Sequence, residues 1–302
     1  MSDAAATDIR HHTVTAGGLR FHVAEAGPID GPPVLLLHGF PECWYSWRRQ
    51  LPALAKAGFR VMAPDLRGYN LSDKPVDVSA YGAEQLTGDV VALSKALGYQ
   101  RLDVVGHDWG GAVAWLTASF PATRHVVRRL FVLNAPHPAL FLSQLSLQQL
   151  RRSWYMLMFQ LPHVPEWFLS HNDWANLRKT FAHTRLLRQN VTDEDFAVYR
   201  RAASQPGALS AMINYYRAAL RQDPRKLAQL CQPVEAETLL IWGEQDVALG
   251  KELTQGLGKL VPKLRVEYLD AGHFVQLERP DDVNRILVES LTKPISLDAA
   301  GL

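Results

Sequence analysis

Four short apolar runs constrain this chain more than any other feature: PVLLLHG (Pro33–Gly39), FRVMAPD (Phe59–Asp65), LDVVG (Leu102–Gly106) and LFVLNAP (Leu130–Pro136). A strand that is apolar at every position is buried on both faces, as in a parallel sheet covered by helices above and below. The stretches between the runs agree. Leu86, Val90, Leu93 and Leu97 recur at 4-3-4 spacing and form one helical stripe. Such alternation implies right-handed crossovers, an α/β fold with a mostly parallel sheet flanked by helices. Ahead of it, HHTVTAGGLRFHVAEAG is expected to form a hairpin turning at Gly17-Gly18.

The rhythm breaks after Pro138. From Ala139 to Cys231 the segments are helical, rich in Leu, Gln, Arg and aromatics, and punctuated by Pro162, Pro165, Pro206 and Pro224. ETLLIWGEQD (Glu237–Asp246) and LRVEYLDAGH (Leu264–His273) then restore strands. The expected organisation is a core built from 1–138 and 232–302, interrupted by a helical cap over 139–231. TKPISLDAAGL at the carboxyl end reads as a frayed tail. A net charge of +2 on 302 residues does not suggest a nucleic-acid or anionic-membrane partner. No window is apolar enough to span a bilayer, and MSDAAATDIRHHTV lacks the pattern of a secretory signal. Two cysteines, Cys43 and Cys231, without metal-ligand spacing fit a reducing compartment better than a disulfide scaffold, though one disulfide stays open. The expectation is a cytoplasmic protein, monomer or homodimer, with no membrane or nucleic-acid partner.

Chemistry in open parallel sheets happens at the carboxyl ends of the strands. Four features fall there: His38-Gly39-Phe40-Pro41, Gly106-His107-Asp108-Trp109-Gly110, Asp246 and His273. The second is a strand–turn–helix elbow with Asp108 where a nucleophilic serine usually stands. Gly106 and Gly110 suit a turn with no room for side chains, and the positive end of the following helix favours an ionised Asp108. The plainer reading of Asp108 is a helix N-cap. His273 and Asp246 argue for catalysis, because they follow in the order nucleophile, acid, histidine that this arrangement uses. Glu244 and Asp270 are rival acids, but one falls early in the turn and the other still on a strand. Asn134, after another strand, cannot carry the charge. The backbone N–H groups of Phe40 and Trp109 are candidates for an oxyanion hole, their side chains for pocket walls.

A carboxylate attacking an ester forms an anhydride and gains nothing. Attack on an sp³ carbon forms an alkyl ester that a His273-activated water can cleave. The substrates implied are epoxides or organohalides. A phenol, protonated at neutral pH, would serve the poor alkoxide leaving group of an epoxide. The cap offers Tyr155 and Tyr216, with Tyr199 and Tyr215 as alternatives, and any of these is also explained by packing within the cap.

The motifs LLLHGFPECWYSWRRQLPALAKAGFRVMAPDLRGYNLSDKP, VVGHDWGG, WGEQD and AGHFVQLERP resemble the epoxide hydrolases of the α/β-hydrolase superfamily, over nearly the whole chain from Val14 to Leu291. The resemblance implies the α/β-hydrolase fold with an inserted cap, Asp108 as nucleophile, His273 as base and Asp246 as its acid. It further implies Phe40 and Trp109 as oxyanion hole, Tyr155 and Tyr216 as substrate-binding proton donors, no cofactor or metal, and a small apolar epoxide plus water as reactants. Two departures are Asn70, where glycine is frequent but a left-handed backbone is still tolerated, and Cys43, where serine is common. The alternative is a dehalogenase with the same nucleophile. Haloalkane dehalogenases usually carry Asn where Phe40 stands, and haloacetate dehalogenases tend to carry Arg where Trp109 stands. A more remote alternative is a non-catalytic receptor that has kept the hydrolase shell.

Overall fold

The computed structural model describes residues 8–141, 144, 146–293 and 295. Eight strands form one sheet in the order β1-β2-β4-β3-β5-β6-β7-β8. They are β1 (Arg10–Ala16), β2 (Leu19–Ala26), β3 (Pro33–Leu37), β4 (Arg60–Pro64), β5 (Leu102–His107), β6 (Val127–Leu133), β7 (Glu237–Gly243) and β8 (Leu264–Leu269). The β2 strand runs antiparallel to β1 and β4, and all other neighbours are parallel. The expected hairpin is present: Ala16 pairs with Leu19 around Gly17 and Gly18, both at positive φ, as a tight turn between twisted strands requires. The TKPISLDAAGL tail lies largely outside the described residues.

The four apolar runs are β3, β4, β5 and β6, and their alternation divides two cores. Leu35, Leu37, Val104, Leu130, Val132, Leu240 and Trp242 face one side, with the helices Ala83–Ala96 and Trp109–Ser119. Val34, Leu36, Val105, Phe131, Leu133, Leu239 and Ile241 face the other, under the helices Gln50–Lys56 and Pro280–Thr292. Burying one such side chain is worth about 1.5–3 kcal/mol. A sheet covered on both faces therefore has its strand ends as the place for chemistry. The chain passes from β3 to β4 on one side and then to β5 on the other. The loops after β3 and β5 thus meet at the switch point where such sheets hold ligands.

Between β6 and β7 only helices occur among the described residues, from Pro138–Phe141 to Pro224–Leu230. The longest, Val164–Thr180, is broken at His171–Trp174, and Pro165 and Pro224 occupy first turns, where proline is tolerated. Hydrogen bonds fasten this layer to the core. Asp195 accepts from Tyr45 (2.9 Å) and pairs with Arg48 (3.1 Å), and Tyr199 bonds Ser46 (3.1 Å). No helix among the described residues is long and apolar enough to cross a membrane.

Candidate active site

The elbow is tight for the reason its glycines suggest. A Cβ on Gly110 would fall 2.5 Å from the His38 carbonyl oxygen, and one on Gly106 would fall 2.8 Å from Gly111 Cα. Asp108 between them has φ 50° and ψ −118°, a sparsely populated region that costs about 1–3 kcal/mol for a non-glycine residue. The return is position. Oδ1 accepts a 2.6 Å hydrogen bond from the Phe40 N–H, while Oδ2 lies 3.5 Å from His273 Nε2. Gly39 lets that loop approach, since its Cβ would meet Asp108 Oδ1 at 2.5 Å. The Phe40–Pro41 bond is cis. Burial pushes the Asp108 pKa up. His273, the charge of His107 and the Phe40 N–H outweigh it and hold the carboxylate below its ordinary value.

His273 Nδ1 sits 2.7 Å from Asp246 Oδ2. Asp246 is held on all sides: Oδ1 accepts from the N–H groups of Ala248 (2.8 Å) and Leu249 (2.9 Å), and Oδ2 also accepts from Asn134 Nδ2 (2.8 Å). Burial opposes its charge, but His273 and these donors hold it ionised, below the ordinary range. Burial likewise disfavours imidazolium, yet Asp246 and Asp108 raise His273 well above 6.5. The rival acids lie elsewhere, Glu244 paired with Lys251 and Asp270 bonded to Gln245.

The four tyrosines separate cleanly. The Tyr199 hydroxyl bonds Ser46 and Arg48, and that of Tyr215 donates to the Arg67 carbonyl (2.8 Å). Tyr155 and Tyr216 instead lie close enough to Asp108 for its charge to act on both phenols, and their rings are 5.9 Å apart. Tyr216 packs edge-on against Trp109 (4.9 Å), Phe159 (4.8 Å) and Phe40 (5.4 Å). Burial first, then the nearby charge of Asp108, raises both phenols, so they stay protonated. Trp109 opens the helix after Asp108, its ring forming a wall with Tyr215 and Tyr216.

Four supporting residues escaped the sequence reading. Asn134, set aside because it carries no charge, donates to Asp246 and accepts from the Gly243 N–H (2.9 Å), with φ 40°. Its place after an apolar strand was the available signal. Glu42 and Gln276 form a buried network with His107, which reaches the His273 carbonyl at 2.9 Å. Glu278 is also buried. It accepts from the Gly272 N–H (3.0 Å), next to His273, and from Thr184 of the cap. Nothing in sequence separates such carboxylates from solvated ones. Asn70 does adopt a left-handed φ of 41° and donates to Asp65 (2.8 Å). Cys43 is fully buried with its thiol pKa pushed well up by burial, and neither cysteine is in a disulfide.

Residues 32–280 match the family model described as alpha/beta hydrolase fold. The chain is 40% identical over 280 residues to epoxide hydrolase 4 of Mus musculus, covering 89% of this chain and 76% of that protein. It is also 40% identical over 285 residues to the AB hydrolase superfamily protein YfhM of Bacillus subtilis (strain 168), covering 92% and 96%. A crystal structure of a point mutant of an epoxide hydrolase from Bacillus megaterium superposes with a TM-score of 0.84 at 28% identity, covering 93% of this chain and 100% of that one. With the elbow, the strand order and these relatives in agreement, the chain belongs to the α/β-hydrolase fold family and, within it, to the epoxide hydrolases.

Proposed function

We propose that the protein opens an apolar epoxide to a vicinal diol through an alkyl ester on Asp108. The observation that carries this reading is the pairing of an ionised, strained aspartate with two protonated phenols, Tyr155 and Tyr216. Asp108 Oδ2 attacks a ring carbon, the carbon–oxygen bond breaks, and a phenol gives its proton to the departing oxygen. The ester no longer carries the Asp108 charge that helped to hold His273 cationic. His273 therefore releases its proton, which replaces the one the tyrosine gave up, and becomes a neutral base. It then takes a proton from water, whose oxygen attacks the Asp108 carboxyl carbon. Phe40 N–H, already bonded to Oδ1, and the Trp109 N–H stabilise the oxyanion of that step. Collapse frees the diol and restores the carboxylate.

Asp246 keeps His273 oriented throughout. The aromatic wall of Phe40, Trp109 and Phe159 suits an apolar substrate. A halide leaves as a stable anion and needs no proton from a phenol, whereas the alkoxide of an opened epoxide does, which supports the epoxide over the organohalide. The test is diol formation from styrene oxide, with Asp108→Asn as the blank. Diol above that blank is expected. Its absence, with halide released from chloroalkanes, would overturn the reading.

A further inference from the structure

The outer surface of the cap carries an apolar stripe that no described residue covers. Leu147, Leu150, Trp154, Leu157, Leu161 and Trp167 are between 49% and 79% exposed, six of the thirteen exposed large hydrophobics among the described residues. From Leu147 to Leu161 the spacing is 3-4-3-4, the repeat of a single helical face. The helices Leu147–Arg152 and Trp154–Met158, separated only by Ser153, carry its first four members, and Leu161 follows in the bend after the second. The same turns send Gln149, Ser153 and Phe159 into the protein, so the outward leucines and tryptophan are not there for want of a polar face.

Charge says what such a face meets. Residues 139–231 hold twelve Arg and Lys against six Asp and Glu, which leaves the rest of the chain with twenty against twenty-four. The chain-wide value of +2 conceals this division. Arg151, one turn after Leu147, is exposed beside the stripe. Leucine and tryptophan on one face of a basic helical layer are the composition of elements that lie in a bilayer interface, apolar groups among acyl chains and arginines at the phosphates. A second copy docked by two-fold symmetry would instead bring two net-positive caps together.

We propose that this face docks the protein on an anionic phospholipid surface. Docking does not depend on the reaction proposed above. Its consequence does: Tyr155, on the same helix as Trp154 and Leu157, sits next to the phase in which apolar epoxides dissolve.

The test is co-sedimentation of the full chain with vesicles of phosphatidylcholine alone or mixed with phosphatidylglycerol, alongside tryptophan emission and light scattering. The wild type is expected to pellet with the mixed vesicles, shift its emission to the blue and release at high salt. The double variant Leu150→Ser/Leu157→Ser should partition roughly tenfold less or weaker still. Ile29→Ser, which removes an exposed apolar side chain of the core layer, should change nothing. Unaltered circular dichroism would show that both variants fold. No partitioning of the wild type, or equal partitioning of the double variant, would overturn docking. So would a dimer that ignores vesicles and dissociates in the double variant, which would make the stripe a self-association surface.

Discussion

Asp246 in the core and Tyr216 in the cap are equally buried, each 5% exposed, yet they are held in different ways. Asp246 accepts from Asn134, Ala248 and Leu249 and bonds His273, so its position is set by hydrogen bonds within the strand-end loops. Tyr216 is held by ring edges of Trp109, Phe159 and Phe40, and its helix is joined to the core through Tyr215 and Arg67. Hydrogen bonds are directional and fix a group within narrow limits, whereas edge-on packing tolerates small slides. The core half of the site is thus built for charge and fixed geometry. The cap half brings a pair of phenols, the donors proposed above, whose placement depends on how the two layers meet.

The strongest way to break this division is to disable the core half. His273→Gln is expected to cut turnover by about a thousandfold or more, while the enzyme gains the mass of one epoxide by intact mass spectrometry. Normal turnover, or no added mass, would mean that the core does not divide ester formation from ester cleavage. On the cap side, Tyr155→Phe and Tyr216→Phe should each slow single-turnover alkylation by roughly a hundredfold and the pair by more. A double variant within tenfold of wild type would show that the core works alone.

A smaller effect is expected from the supports. Asn134→Ala removes one donor from Asp246 and should lower kcat about tenfold, with little change in KM. Glu278→Gln keeps the shape but weakens the acceptor for Gly272, and a loss of a few-fold in kcat is expected. Equal losses at a surface carboxylate such as Glu289 would remove the distinction between supports and surface.

The pH dependence of stability should sharpen the contrast with the least disturbance. Asp246 and Asp108 lie below their ordinary 3.8, so the stability they contribute is present above about pH 4 and is lost on acidification through their folded values. His273 lies well above 6.5, so its contribution is complete below pH 6.5 and fades as pH rises through its folded value. Calorimetry of Asp246→Asn should show both arms flattened. Tyr199→Phe, which loosens the cap from Ser46 and Arg48, should lower stability by about 1–3 kcal/mol at every pH.

Much of the core half was legible from residues alone. The apolar runs became β3 to β6, Gly106 and Gly110 proved necessary to the elbow, and Asp246 was separable from Glu244 and Asp270 by its place beyond the strand. The supports were not. Asn134 looked disqualified because it is uncharged, although its value lies in donating to a charge. Glu278, whose side chain accepts from the Gly272 N–H beside His273, carries no sequence mark that sets it apart from the carboxylates on the surface.

The cap tyrosines mark the boundary most clearly. Tyr215 and Tyr216 are adjacent on one helix, both buried, and no periodicity tells which one faces the core backbone and which the nucleophile. By itself the sequence determined the sheet, the elbow and the order of its partners, because strands, tight turns and strand ends are dictated by residues close in the chain. Only the tertiary structure decided which phenols are tied up with the core, as Tyr199 and Tyr215 are, and which amide secures Asp246. Those choices depend on contacts between residues far apart in the chain, cap against core for the phenols and strand end against strand end for Asn134 and Asp246, and on the desolvation that packing imposes.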